Sequence, residues 1–265
     1  MDNLIDSLNP DQRAAVSAGN IHMLVLAGAG SGKTRVLVHR IAWLLEQQQA
    51  SPHQILAVTF TNKAAREMQQ RIEQMLGFRQ PGLWVGTFHG LCHRLLRSHW
   101  QEADLNEDFQ IIDSDDQLRI IRRLLKANEI DDKRWPAKQV CWMINNEKQN
   151  GRRASAVTLN GDYFQEVMLN IYRPYEELCQ RSSLVDFTEL LLRGVELLQN
   201  NQELREHYQQ RFKYILVDEF QDINNMQYKW IKLMACQDNY TFAVGDDDQS
   251  IYSWRGAEVA NLRRF

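Results

Sequence analysis

The sequence predicts an α/β fold: a parallel sheet covered by helices on both faces and interrupted by a mainly helical insertion. Three observations carry that expectation. An apolar run over Ile21–Leu26 leads into Ala27-Gly28-Ala29-Gly30-Ser31-Gly32-Lys33-Thr34 and then into an amphipathic stretch. That is the strand, glycine-rich loop and helix order of a phosphate-binding loop. Short β-rich runs then alternate with helically spaced segments, a pattern that calls for parallel strands joined by helical crossovers. Between residues 89 and 211 β-branched clusters become few and helical spacing takes over.

Taken in order, Asn9-Pro10-Asp11-Gln12 opens the first helix. Asn9 is an N-cap residue, Pro10 suits the first helical position, and Gln12 stands where it closes a capping box. Gly19 is expected to end that helix. Ile21, Met23, Leu24, Val25 and Leu26 make the first strand, and Val36, Leu37, Val38, Ile41, Leu44 and Leu45 mark the helix after the loop. Ile55–Phe60 reads as a second strand. Residues 62–76 have helical spacing (Ala65, Met68, Ile72, Met75, Leu76) and stop at Gly77. Leu83–Thr87 suggests a third strand. Tyr214–Val217 and Thr241–Val244 suggest two more, with a helix over 225–236 between them. The insertion carries helical patterns over 89–99, 115–127, 136–147, 162–180 and 186–199. The expected division is therefore residues 1–88 and 212–265 for the α/β core, and 89–211 for the inserted helical subdomain.

At 265 residues the chain has room for one large domain or two small ones. Hydrophobic residues at 44% and charged residues at 25% are ordinary for a globular protein. A net charge of −3 gives no global sign of nucleic acid, although a local groove can be basic on an acidic chain. Cys92, Cys141, Cys179 and Cys236 are scattered with no C-x-x-C pair, so reduced thiols and a cytoplasmic address are expected. A polar N-terminus and short apolar runs predict neither signal peptide nor membrane span.

Chemistry concentrates in three motifs. In the first, Gly28, Gly30 and Gly32 allow backbone N–H groups to crowd round phosphate oxygens, and the helix beginning near Lys33 directs its positive dipole end at the same anion. Lys33 is expected to reach the terminal phosphates of a nucleotide and Thr34 to place its hydroxyl on Mg²⁺. In the second, Tyr214-Ile-Leu-Val-Asp-Glu-Phe-Gln-Asp222, a buried strand delivers acids to its carboxyl end. Asp218 suits Mg²⁺ and Glu219 suits a general base for an attacking water. Together these two motifs indicate ATP hydrolysis. The third runs from Val244 to Ala257 and carries Asp246, Asp247, Asp248, Gln249, Tyr252, Trp254 and Arg255. Gln249 is expected near the γ-phosphate, and Tyr252 and Trp254 offer rings to unpaired bases or, alternatively, pack on the sheet.

These motifs resemble those of superfamily 1 DNA helicases of the UvrD, Rep and PcrA group, over essentially the whole chain. The resemblance implies a RecA-like P-loop NTPase sheet with an inserted accessory subdomain, and ATP and Mg²⁺ as cofactors. It makes Ala27 the family's own variant of the loop's first glycine and gives Gln12, in Leu8-Asn9-Pro10-x-Gln12, the task of reading adenine. Residues 27–35, from Ala27 through Ala29 and Ser31 to Arg35, become the nucleotide cradle. Val58-Thr-Phe-Thr-Asn-Lys-Ala-Ala65 is similar to a DNA-contacting motif, which assigns Phe60, Thr61 and Asn62 to single-stranded DNA. Thr87-Phe88-His89-Gly90 resembles the next such motif, and Leu184-Val185-Asp186-Phe187 matches a third, with Asp186 and Phe187 beside the DNA path. Ile223 and Ser253 depart from the family's usual Thr and Gly, at positions with no assigned catalytic role.

His89 and His93 have the spacing of helical metal ligands but lack the accompanying acid, so zinc is not expected. Arg119, Arg122, Arg123 and Lys126, with Arg152 and Arg153, are open to two readings, phosphate contact or a solvated face balanced by Asp115, Asp116 and Glu129. The resemblance further implies a 3′→5′ translocase of DNA repair acting on single strands and single-strand/duplex junctions, with repair proteins as partners and no membrane. The chain is expected to be a piece holding one of two motor domains, weakly active or inactive alone. The competing expectations are the helicase half of a helicase–nuclease and a non-catalytic, ATP-switched DNA-binding module.

Overall fold

In the computed structural model residues 4–158 and 163–246 are described, save the side chain of Phe164. The chain divides into two compact units, one from residues up to Leu91 and from Leu198 onward, the other Cys92–Leu197. The first is built on β1 (Met23–Leu26), β2 (Ile55–Thr59), β3 (Trp84–Thr87), β6 (Tyr214–Val217) and β7 (Tyr240–Gly245). They pair in the order β1-β7-β6-β2-β3, every pair parallel. β2 and β6 are buried along their whole length and β7 nearly so, while β1 and β3 at the edges are mostly half-buried. Strands covered on both faces read as continuous apolar runs, which is why Ile-Leu-Ala-Val and Tyr-Ile-Leu-Val were recognisable without alternation.

Helices α1 (Pro10–Val16), α2 (Lys33–Glu46) and α3 (Asn62–Leu76) belong to this unit. Val36, Leu37 and Ile41 of α2, with Met68 and Ile72 of α3, join Ile55, Ala57, Leu216 and Val244 of the sheet in one core. The Asn9–Gln12 capping box forms, and Gly77 ends α3 in the left-handed region at φ 80°. Gly19 does not end α1, which stops earlier, at Val16. Its exit is tied instead by buried Arg40, which donates to Val16 O at 2.7 Å, Ala18 O at 2.6 Å and Gly19 O at 3.2 Å. Helices α9 (Gln202–Arg211), which has no counterpart in the sequence pattern, and α10 (Asn225–Met234) complete the unit.

The second unit holds α5 (Ser114–Ala127), α6 (Ala137–Gln149) and α7 (Tyr163–Arg181), while α4 (Phe88–Ser98) and α8 (Phe187–Asn200) each contribute residues to both units. Beside the expected helices it contains a two-stranded parallel sheet, β4 (Gln110–Ile112) and β5 (Leu184–Asp186), too short for any periodic signal. Ile121, Leu125, Val140, Ile144, Ile171, Tyr172 and Tyr175 form its apolar core. Against that core lies a buried ionic cluster. Lys148 Nζ lies 2.6 Å from Asp186 and 2.9 Å from Glu189, and Glu189 is also reached by Arg153 at 2.7 Å and Arg193 at 2.9 Å. Burial opposes ionisation of Glu189, but the three cations hold its carboxyl well below the usual range. Among the described residues no helix is long and apolar enough to cross a membrane.

Removing one partner from such a cluster strands charge in a desolvated site. Lys148→Met is expected to cost roughly 3–5 kcal/mol of stability, measured as a lowered midpoint of denaturant unfolding. An unchanged midpoint would mean that Asp186 and Glu189 are carried by their remaining partners.

Candidate functional site

Because all the strands of the main sheet are parallel, their carboxyl ends share one edge, where ligands of open α/β sheets bind. The loop after β1 turns through Gly30 at φ 73° and Gly32 at φ 87°, conformations that penalise any Cβ. A side chain at Gly32 would meet Gln12 Nε2 at 2.9 Å. Lys33, buried at the start of α2, donates to Ala27 O at 2.8 Å and Gly28 O at 3.1 Å, and pairs with Asp246 Oδ2 at 3.1 Å. Asp246 follows β7 and is 2% exposed. Of the acids after Gly245 it is the one within the described residues, and it lies inside the fold rather than at a solvated loop tip. Ala29, Gly30 and Ser31 are exposed at the loop's rim.

Gln12 serves two places at once. Its Oε1 accepts from Asn9 N at 3.2 Å to close the cap, and its Nε2 donates to Ser31 O at 2.8 Å. Arg35 Nη2 donates to the carbonyl and hydroxyl of Ser7, each at 2.9 Å, fastening the segment before α1 to the loop's helix. Thr34 Oγ1 donates to Asp218 Oδ2 at 3.3 Å. Next to Asp218, Glu219 takes a left-handed conformation (φ 50°, ψ 50°) and its Oε2 accepts from Gln221 Nε2 at 2.8 Å. The other end of Gln221 accepts from Asp246 N at 3.0 Å. Gln221, Asp222 and Asp246 were not singled out from sequence. All three stand inside the quoted motifs, but nothing local marks which members of an acidic run become buried.

The nearest neighbours along the same edge are the exits of β2 and β3. Thr61 caps α3 by accepting from Ala64 N at 3.1 Å, and Thr87 Oγ1 donates to Asn62 Oδ1 at 3.4 Å. Phe60 and His89 are half-buried, and burial lowers the His89 pKa, favouring the neutral ring. Phe88 departs from the expected DNA contact. It is 3% exposed, with its ring edge-on to Trp230 at 5.9 Å, so it anchors α4 in the core. Asp186 departs as well. It is 3% exposed and saturated, accepting from Tyr175 OH at 2.7 Å and Glu189 N at 2.8 Å besides pairing with Lys148. Its neighbour Phe187 is 52% exposed.

Arg153, open to phosphate contact or solvation from sequence, does neither. It pairs with Glu176, Glu189 and Glu196. Arg119, Arg122, Arg123 and Lys126 are exposed, with Arg119 paired to Asp116. His93 Nε2 accepts from Arg97 Nε at 3.0 Å. Gln249, Tyr252 and Trp254 lie outside the described residues.

Burial, and secondly the charge of Glu219, push the Asp218 carboxyl up from 3.8 to about 6, and the same two causes raise Asp222 to about 6. The folded chain thus keeps protons that the unfolded chain releases. The stability this confers is full below about pH 4 and is lost as pH rises through about 6. Asp218→Asn is expected to stabilise the fold at pH 7.5 by an amount on the order of 1–3 kcal/mol, read as a higher melting temperature, and to leave stability nearly unchanged at pH 4. Equal shifts at both pH values would show that ionisation of Asp218 carries no strain.

The chain is 56% identical over 262 residues to the DNA helicase II of Escherichia coli K12, covering 99% of this chain and 36% of that protein. It is 52% identical over 266 residues to the DNA helicase II of Haemophilus influenzae, covering 99% and 37% respectively. It is 40% identical over 266 residues to the ATP-dependent DNA helicase PcrA of Staphylococcus aureus, covering 100% and 36%. The chain thus spans little more than a third of the length of the curated relatives it matches. The family described as the UvrD/REP helicase N-terminal domain matches residues 8–265, and this chain, with its RecA-like parallel sheet and helical insertion, belongs to it.

Proposed function

We propose that this chain is the N-terminal motor portion of an ATP-dependent DNA helicase, an ATP hydrolase that moves 3′ to 5′ along single-stranded DNA in DNA repair. The observation that carries the reading is the convergence of Lys33 and Thr34 with Asp218 and Asp246 at one sheet edge. Lys33, held by two carbonyls and by Asp246, turns to the terminal phosphates of ATP, whose several negative charges out-compete those partners. Thr34 and Asp218 fit Mg²⁺: two oxygen donors already face each other, and the carboxylate is desolvated enough for a cation to relieve it. The cation, when bound, neutralises charge building on the phosphates. Glu219, its carboxylate fixed by Gln221, takes the proton of the attacking water. Gln12 and Arg35 stand at the base end, and Gln249 is assigned to the γ-phosphate by resemblance.

Single-stranded DNA and its junctions with duplex are the substrate. Phe60, Thr61, Asn62, Thr87 and His89 sit at the exits of β2 and β3, with Phe187 in the helical unit and Tyr252 and Trp254 by resemblance. Phe88 and Asp186 then act as supports for those contacts. Coupling between the two ligands has a short route, since Asp218 N donates to Val58 O of β2 at 2.9 Å, one strand from the nucleotide and two residues before Phe60. The 3′→5′ direction, repair proteins as partners and the cytoplasmic address follow the resemblance. The helical unit is read as the accessory subdomain.

A fluorescent ATP analogue is expected to bind saturably and only with Mg²⁺, with Lys33→Ala abolishing binding and oligo-dT changing the affinity. Binding should strengthen from pH 5 to 7, as Asp218 ionises. Mg²⁺-independent binding, or binding that survives Lys33→Ala, would overturn the reading.

A further inference from the structure

Trp142 lies on the outward face of α6 and is 66% exposed, an unusual position for so large a ring. The residues one turn away on that helix are Lys138, Gln139, Asn145 and Asn146, a cation and three amides. Along its own helix face Trp142 is thus flanked by polar side chains rather than by the apolar neighbours that a docked protein core requires. A lone ring among amides and a cation instead has the chemistry of a platform for unpaired bases and their phosphates.

The placement of α6 adds a second argument. Steps of three residues turn a helix back by about 60°, so Trp142, Asn145 and Lys148 run from solvent through the rim to the core. Asn145 Oδ1 accepts from Thr188 Oγ1 at 3.3 Å, and Lys148 pairs with Asp186 at 2.6 Å and Glu189 at 2.9 Å. The helix is thereby fastened at two depths to the first turn of α8, which Phe187 opens. Both exposed rings stand on one frame, held by buried charges whose geometry leaves little freedom. Such preorganisation lowers the ordering cost of binding.

We propose that Trp142 is a second base-stacking residue of the helical unit, in addition to Phe187, for single-stranded nucleic acid. The inference rests on the reading of Phe187 as a DNA contact. Its test is fluorescence anisotropy of labelled oligo-dT with the wild-type chain, Trp142→Ala, Trp142→Phe and Phe187→Ala, with melting temperatures confirming that the exposed substitutions leave the fold intact. Trp142→Ala is expected to weaken binding by roughly 5- to 150-fold, the range for loss of one stacked base, while Trp142→Phe retains most of the affinity. An abasic oligomer of the same length should bind wild type and Trp142→Ala alike. Equal dT affinity of wild type and Trp142→Ala overturns this inference and leaves the DNA reading standing. Absence of any dT binding by the wild-type chain overturns both.

Discussion

The parallel register of the main sheet is the constraint on which the site depends. β7 lies between β1 and β6, and β6 lies between β7 and β2, so groups far apart in the chain emerge side by side at one edge. Lys33 and Asp246, 213 positions apart, meet because Leu26 and Gly245 are register partners on adjacent strands. Thr34 and Asp218 meet for a related reason: β7, paired to both β1 and β6, is the only strand between their exits. An antiparallel strand anywhere among these would send one of the partners to the opposite end of the sheet.

That edge is electrostatically unsettled. Asp218, Glu219 and Asp222 stand within five consecutive residues, two of them with raised pKa, and Gln221 supplies a neutral donor to Glu219. Asp222 Oδ1 is buried without a hydrogen-bond partner, and Glu219 sits in a backbone region that costs a non-glycine residue on the order of 1 kcal/mol. Strain and unrelieved acidity of this kind concentrate where a ligand supplies what the protein lacks. The lysine, by contrast, is fully engaged, so the loop is held open-handed by its own carbonyls and by Asp246 until a stronger anion competes.

The helical unit solves its electrostatics the other way. Lys148, Arg153 and Arg193 compensate Asp186, Glu176, Glu189 and Glu196, and the buried members also receive hydrogen bonds from Tyr175 and a backbone N–H. A satisfied cluster gives up little charge to a ligand, but it fixes the helices that surround it. The exposed rings of Trp142 and Phe187 inherit their positions from that rigidity.

Much was legible from local chemistry. Asn9 and Gln12, Gly77, the unalternating runs of β2 and β6, and the glycines before Lys33 act through neighbours within about four residues, where sterics and hydrogen bonding are written into adjacent side chains. Less visible were β4, β5 and α9, whose signals are too short or too polar to stand out. What tertiary structure alone decided was partnership. Whether Asp186 faces solvent or Lys148, whether Phe88 meets a ligand or Trp230, and whether Arg153 and Arg40 are free surface charges or ties within the fold depends on residues tens of positions away or more. Residue type and spacing determined which chemistry the chain can hold; burial, which is settled only when distant elements pack, determined which copies of each residue type are free to perform it.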